Sequence, residues 1–176
     1  MVSKVRSMEM IYRRAGFLLR RAHQIADATF RDECAEFNLT PTQYGVLMAA
    51  ASHPGLKQIE VAKLLGIDRS TTAMVVDRLV QRGFMERGID ARDRRGRTLR
   101  LTPQGDALLD RVADSAARVQ ARFLKPLSAG ERSVFLRLLG KLMDGEKDMN
   151  PVPFDRAAPE DEKPRKLASV EDPSAA

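Results

Sequence analysis

Arginine is concentrated in one short stretch of the chain, residues 90–102, with the sequence DARDRRGRTLRLT. The stretch contains five arginines, two aspartates and no lysine. A guanidinium is always charged and presents its donors in a planar fork, which suits phosphate oxygens and the strongly negative minor groove of DNA. We therefore predict that Arg94, Arg95 and Arg97 bind nucleic acid, and that Asp93 holds one of them in an extended pose. The simpler alternative is a solvated charge run on a surface loop.

Short polar side chains begin the helix that is predicted over residues 69–82. A helix that enters the major groove of DNA needs such side chains at its N-terminal end and an apolar rear face. Val75, Val76 and Leu79 supply the rear face, and the amides of the first turn favour phosphate. The residues of this helix expected to contact DNA are Arg69, Ser70, Thr71, Thr72, Met74 and Arg78.

A helix-turn-helix and a hairpin are predicted to position these two sets of side chains. A short helix over residues 57–65 should end at Gly66, and Asp68 should cap the recognition helix that follows. The segments FMERGID and RTLRLT have the pattern of strands on either side of a tip at 90–97, so the hairpin makes a wing. Residues 68–100 hold nine arginines, four aspartates and one glutamate, a net charge of +4. This context favours DNA binding over the solvated loop.

The remainder of the folded chain is predicted to be helical. Apolar residues recur at spacings of three and four over residues 9–36, and their strip is wider than a lone surface helix needs. Part of that strip should therefore meet another subunit. A second helix should begin at Pro41, with Thr40 as its N-cap. Two further helices are expected over residues 103–125 and 128–147, so the expected fold class is mainly α with a small β-hairpin.

The composition is typical of a single domain that has a polyanionic partner. The chain has 176 residues, a net charge of +6 and a pI of about 9.8. One cysteine cannot form an internal disulfide, and no apolar run is long enough for a signal peptide or a membrane span. We therefore expect a cytoplasmic protein with no membrane partner. Residues 150–176 hold five of the nine prolines and few apolar side chains, which predicts a disordered tail.

The segments LTPTQYGVLMAAA and QIEVAKLLGIDRSTTAMVVDRLVQRGFMERGIDARDRRGRTLRLTPQGDALL resemble the MarR family of bacterial winged-helix regulators. The wing segment, DRRGRTLRLTPQG, is the most specific part of the resemblance. The resemblance implies a winged helix-turn-helix with a helical dimerisation region, in a domain that spans residues 1–149. Helices at about 9–36, 103–125 and 128–147 would form the homodimer. A lobe at about 41–102 would bind half of a pseudo-palindromic operator in double-stranded DNA.

The segments GFLLRRAHQI and LTPTQYGVL look closest to the branch of this family that controls the breakdown of aromatic acids. The resemblance implies repression that is relieved by a ligand bound between the dimerisation helices and the DNA-binding lobe. An aromatic carboxylate would need an apolar slot, a cationic anchor and a hydroxyl or imidazole partner. Alternatively, His23 hydrogen-bonds within the core and Arg20 pairs with an acid at the dimer interface. The candidate ligand-binding residues are Phe17, Arg20, His23, Tyr44 and Met48.

Other classes of function have less support in the sequence. It contains no Gly-rich phosphate loop and no paired Cys/His spacing, so we expect neither an enzyme nor a bound cofactor or metal. An architectural or RNA-binding protein, and a regulator without a small ligand, are alternatives that use the same basic surface. Cys34 invites a redox-sensing interpretation, but its position among apolar residues near the end of the first helix favours a buried, inert thiol.

Overall fold

The computed structural model describes residues 8–89 and 97–145. The predicted tail at 150–176 and the wing-tip residues Asp93, Arg94 and Arg95 lie outside these ranges. The expected fold class, mainly α with a small antiparallel hairpin, is confirmed. In chain order the elements are α1 (Met8–Tyr12), α2 (Ala15–Glu33), a 3₁₀ turn (Ala35–Phe37), α3 (Pro41–Ser52), α4 (Gln58–Leu65), α5 (Arg69–Gln81), β1 (Met85–Ile89), β2 (Arg97–Leu101), α6 (Pro103–Phe123) and α7 (Ala129–Gly145).

The chain divides into two compact units. Within the described ranges, the first unit comprises residues 8–41 and 111–142, and it contains α1, α2 and most of α6 and α7. Within the described ranges, the second unit comprises residues 42–89, 97–110 and 143–145, and it contains the helix-turn-helix and the hairpin. Across the parts of both units that the structure describes, no helix combines the length and apolarity that crossing a bilayer requires.

α4 and α5 form the predicted helix-turn-helix, with bounds within a residue of the expected ones. At the start of α4 the backbone N–H of Lys57 donates to Glu60 Oε2 at 2.6 Å. Gly66 ends that helix with a φ of 61°, a left-handed conformation that glycine adopts without steric cost. Asp68 then caps α5, because its side chain accepts a hydrogen bond from the backbone N–H of Thr71.

Strand β2 of the hairpin forms backbone hydrogen bonds along both of its edges. β1 and β2 pair antiparallel, with Met85 opposite Leu101. The free side of β2 pairs with the short segment before α4, a contact that the sequence did not predict. Leu99 donates its N–H to the carbonyl of Leu56 at 2.8 Å, and Gly55 donates to the carbonyl of Leu99 at 3.1 Å. The base of the wing is therefore anchored to the helix-turn-helix by backbone hydrogen bonds.

Apolar side chains from the helices and the hairpin form the core of the second unit. The predicted rear face of α5 is confirmed, since Val75, Val76 and Leu79 are all buried. Burial of such a face, rather than intrinsic propensity, holds short helices in place. The largest fully buried side chains of this unit include Val46, Leu47, Val61, Val76, Leu79, Met85 and Leu99.

α6 begins at Pro103, as the sequence predicts, and Thr102 stands immediately before it. The Thr102 hydroxyl accepts from the backbone N–H of Gly105 at 3.1 Å and donates to the carbonyl of Gly83 at 2.6 Å. Gly105 passes so close to the preceding turn that an added Cβ would lie 2.0 Å from the carbonyl oxygen of Phe84. Only a residue without a side chain fits at this crossing.

The single helix predicted over residues 9–36 is interrupted, which corrects the sequence prediction. Arg14 has an extended backbone, with φ −82° and ψ 131°, and separates α1 from α2. α1 buries none of its residues. Tertiary packing within this chain therefore adds no free energy that would favour one continuous helix through Arg14. Gly16, just beyond the break, lowers helix propensity further.

Ion pairs join the end of α2 to α6 within the first unit. Arg118 Nε lies 3.1 Å from Glu33 Oε2, and Arg122 Nη1 lies 3.0 Å from Glu33 Oε1. Arg122 also pairs with Asp32. Hydrogen bonds from Arg122, which has the larger effect, and from Arg118 hold the pKa of the Glu33 carboxyl below its ordinary value. The lowered pKa of Glu33 at the end of α2 therefore depends on the native position of the two arginines of α6.

Candidate nucleic-acid interface

One carboxylate organises the N-terminal end of α5. Asp68 Oδ1 accepts hydrogen bonds from the backbone N–H of Thr71 at 2.8 Å and from the hydroxyl of Ser70 at 2.5 Å. Asp68 Oδ2 accepts from the hydroxyl of Thr71 at 2.6 Å. The hydrogen bond from Ser70, which has the largest effect, and those from Thr71 stabilise the charged carboxylate. They hold the pKa of Asp68 far below its ordinary value. The first turn of α5 is therefore pre-organised around a negative charge.

Most of the residues predicted to contact DNA from α5 are accessible. Arg69, Ser70 and Arg78 are exposed, and Thr71 is half-buried. Met74 is 48% exposed and lies one turn after Thr71 on the same side of the helix. This side of α5 thus offers hydroxyl groups, a thioether and guanidinium groups to a partner.

Thr72 differs from the other residues predicted for this surface, and its position corrects the sequence prediction. Its side chain is fully buried, and its hydroxyl donates to the carbonyl oxygen of Asp68 at 2.8 Å. Thr72 precedes Val75 and Val76 by three and four residues, so it lies on the face that packs into the core. It supports the helix and does not reach a base edge.

An ion pair that the sequence analysis missed connects α5 to the wing. The guanidinium of Arg87 on β1 hydrogen-bonds to Oδ1 of Asp77 on α5. Asp77 lies on the outer side of the helix, and both side chains remain partly accessible. The two residues are ten positions apart in different elements. No helical or strand periodicity relates them, so no local signal in the sequence could have found the pair.

The described strands of the wing present positive charge on their accessible sides. Arg97 and Arg100 of β2 are exposed, whereas Leu99 between them is buried. The strands also approach closely, since a Cβ added to Gly88 would lie 2.8 Å from the hydroxyl oxygen of Thr98. Arg97, the only predicted wing-tip residue within the described ranges, is thus accessible at the start of β2.

The candidate ligand-binding residues fall in both compact units. In the first unit, the guanidinium of Arg20 lies 5.3 Å from the centre of the Phe17 ring. The Phe17 ring lies 5.4 Å from the ring of Tyr12. His23 is exposed in this chain, whereas the alternative drawn from the sequence placed it within the core. The two candidates on α3, in the second unit, are half-buried: Tyr44 and Met48.

Cys34 is buried, with 1% of its surface exposed. Burial raises the pKa of its thiol, and the neighbouring carboxylate of Glu33 adds to that increase. A reactive cysteine needs a thiolate that solvent can reach. The position therefore favours the inert thiol over the redox sensor. Among the described residues, no group of His, Cys, Asp and Glu side chains could hold a metal ion.

Comparison with known proteins identifies the family and the relatives that this chain resembles. Residues 37–96, which include the helix-turn-helix, match the model of the MarR family. The transcriptional repressor NicR of Pseudomonas putida is 34% identical over 133 residues, which cover 76% of this chain and 84% of NicR. The chain belongs to the MarR family. The relatives and the fold are those of transcription regulators.

Solved structures of MarR-family regulators share the fold. BpsR of Bordetella bronchiseptica, whose DNA binding is regulated by 6-hydroxynicotinic acid, is 32% identical with a TM-score of 0.72. That match covers 75% of this chain and 94% of BpsR. The repressor CouR, solved on a 23-mer DNA duplex, is 32% identical with a TM-score of 0.72 over 77% of this chain and 96% of CouR. These matches confirm the winged helix-turn-helix that the sequence predicts for this MarR-family chain.

Proposed function

We propose that this protein is a homodimeric transcriptional repressor that binds a pseudo-palindromic operator and is released by a small aromatic carboxylate. The main support for DNA binding is the accessible N-terminal end of α5, where the carboxylate of Asp68 accepts hydrogen bonds from the hydroxyls of Ser70 and Thr71. A helix end of this kind suits the major groove, and exposed Arg97 and the arginine-rich tip beyond it suit the neighbouring minor groove. Such a regulator acts in the cytoplasm and has no catalytic role.

Exposed apolar side chains in the first unit support the homodimer. Leu18 and Ile25 of α2 are 52% and 54% exposed, and Leu138 and Leu142 of α7 are 51% and 54% exposed. Large apolar side chains that are exposed in this number on a soluble protein favour an interaction surface. A second copy of the chain would bury them, and it would place two copies of α5 on the two halves of an inverted repeat.

The contact between Arg20 and Phe17 supports a ligand with a ring and a negative charge. A guanidinium binds a carboxylate through two parallel hydrogen bonds, and an aromatic ring offers an apolar wall. The regulation of BpsR by 6-hydroxynicotinic acid shows that a relative responds to an aromatic acid. In our proposal Arg20 anchors the carboxylate and Phe17 forms the apolar wall, and His23, Tyr44 and Met48 remain candidate ligand-binding residues.

Selection of duplexes from a random DNA pool, followed by titration of the enriched sequence, tests the proposal. We expect binding at physiological salt that is at least about a thousandfold tighter than binding to random DNA. The stoichiometry should be one dimer to one duplex. A flat preference among DNA sequences, or tighter binding to RNA, would favour an architectural or RNA-binding protein instead.

A screen of aromatic acids tests the ligand. An effective acid should raise the melting temperature of the protein and release the labelled duplex over the same concentration range. Arg20→Ala should abolish the response to the acid and leave operator affinity intact. A protein that binds its operator selectively and ignores every aromatic acid would be a regulator without a ligand of this class.

A further inference from the structure

We propose that Asp68 is a positioning residue that turns the Ser70 and Thr71 hydroxyls into hydrogen-bond acceptors toward DNA, so that α5 selects bases with an exocyclic amino group. The inference rests on the proposed function, because it concerns the chemistry by which the same surface discriminates between operator sequences. It adds a specificity-determining role for a residue that need not touch the DNA.

The number of hydrogens that Ser70, Thr71 and Asp68 share limits what these side chains can offer to DNA. A carboxylate can only accept hydrogen bonds, and each hydroxyl has a single hydrogen to donate. Ser70 donates that hydrogen to Asp68 Oδ1 at 2.5 Å, and Thr71 donates its hydrogen to Asp68 Oδ2 at 2.6 Å. The lowered pKa of Asp68 keeps the carboxylate charged across the physiological range. Both hydroxyl oxygens therefore have only lone pairs left for a partner.

The edges of the bases differ in what they offer to such oxygens. In the major groove, adenine N6 and cytosine N4 carry amino donors, whereas guanine presents the acceptors O6 and N7. A hydroxyl that rotates freely can bind either kind of group. A hydroxyl whose hydrogen is committed to Asp68 favours adenine or cytosine, and it also disfavours phosphate oxygens, which only accept. Phosphate contacts are then left to arginines such as Arg69 and Arg78.

The substitution Asp68→Asn separates the orientation of the hydroxyls from the capping of the helix. The backbone N–H of Thr71 can only donate, so the amide oxygen of the new residue must take the place of Oδ1. The Ser70 hydroxyl, which donates to that same atom, keeps its orientation. The amide NH₂ group then faces the Thr71 hydroxyl and can only donate to it. The Thr71 hydrogen is released toward the DNA, while asparagine remains as good an N-cap as aspartate.

The experiment uses the full-length protein and the duplex that it selects from a random pool. Each adenine is replaced in turn by purine and each cytosine by 2-pyrimidinone, and both changes delete the exocyclic amino group. We expect at least one position in each half-site where the wild-type protein loses about tenfold in affinity. Thr71→Val should lose that sensitivity, whereas Asp68→Asn should prefer guanine or thymine at the position that Thr71 contacts.

A charge control accompanies these variants. Asp106 lies exposed in the first turn of α6, so Asp106→Asn removes the same charge with the same change of shape. It should keep the wild-type base preference. If Asp68→Asn does not fold, as judged by circular dichroism, the wild-type protein is compared with Thr71→Val instead. Deleting the exocyclic amino group should then lower the affinity of the wild type but not that of Thr71→Val.

Three outcomes would overturn the inference while leaving the proposed function in place. The first is a selective wild-type protein that no amino-group deletion weakens. The second is an Asp68→Asn variant with an unchanged base preference. The third is equal strengthening of binding to every sequence, which charge removal alone explains. A wild-type protein that selects no sequence at all would instead overturn the proposed function.

Discussion

The guanidinium of Arg87 on the first wing strand is paired with the carboxylate of Asp77 on the recognition helix. The pair links the two elements that we propose enter neighbouring grooves of the same duplex. Ion pairs with this degree of exposure add little to the stability of a fold. Their effect on binding is larger where they fix the relative orientation of two contact elements, because orientation that is fixed in advance lowers the entropy lost on binding.

We predict that breaking this pair affects DNA binding more than folding. Asp77→Asn and Arg87→Ala should each lower the free energy of unfolding by less than about 1 kcal/mol. Each should also weaken operator binding several-fold. A double-mutant cycle measured by fluorescence anisotropy should show coupling between the residues. Additive losses in affinity would mean that the pair does not orient the wing.

The wing tip provides a second prediction, based on the sequence. Replacing Arg94 and Arg95 together with alanine should weaken operator binding strongly and make the logarithm of affinity less steep against the logarithm of salt concentration. The dimer should remain folded. Arg137→Ala with Lys141→Ala removes the same charge from exposed positions on α7 and serves as the control. Equal losses for both pairs would indicate a general effect of net charge.

The crossing at Gly105 predicts a large loss of stability. Gly105→Ala would place its Cβ 2.0 Å from the Phe84 carbonyl, a backbone atom that cannot rotate away. We expect the free energy of unfolding in urea to fall by about 3 kcal/mol or more. Gly130→Ala, at a helical position of α7 with no atom within 4 Å of the added Cβ, is the matched control. That control should be neutral or stabilising by up to about 1 kcal/mol. Similar behaviour of the two variants would contradict the close approach.

We predict that the ion pairs of Glu33 make the free energy of unfolding depend on pH. Its pKa in the folded protein lies below the ordinary value of 4.5, owing to Arg122 and then Arg118. A group with a depressed folded pKa contributes stability above its unfolded pKa and loses it as the pH falls through the folded value. Asp68 and Glu131 are shifted in the same direction, so they add to the same acid loss. Below pH 4.5, Glu33→Gln should therefore lose less stability than the wild type does. Parallel curves of unfolding free energy against pH for the two proteins would rule out this contribution.

The bounds of α4 and α5 and the start of α6 could be predicted because their causes are local, whereas the break at Arg14 within the first predicted helix could not. The caps at Asp68 and Thr102 and the left-handed Gly66 act within a few residues along the chain. The apolar rear face of α5 also follows from spacing alone. In β2, Leu99 is buried as its apolar character predicts, but its neighbour Thr98 is buried as well, so the burial does not follow a simple alternation. The same patterns carried the resemblance to the MarR family and hence the candidate interface.

The sequence by itself thus determined the order of elements, the winged helix-turn-helix and the basic, polar character of its reading surface, since periodicity, capping residues and charge are all written in neighbouring positions. Only the tertiary structure decided which of these side chains are accessible and paired: Thr72 is buried, Asp77 meets Arg87, and Glu33 meets arginines that lie 85 and 89 residues further along the chain. Contacts of that kind depend on how separate elements pack, and no spacing along the chain encodes them.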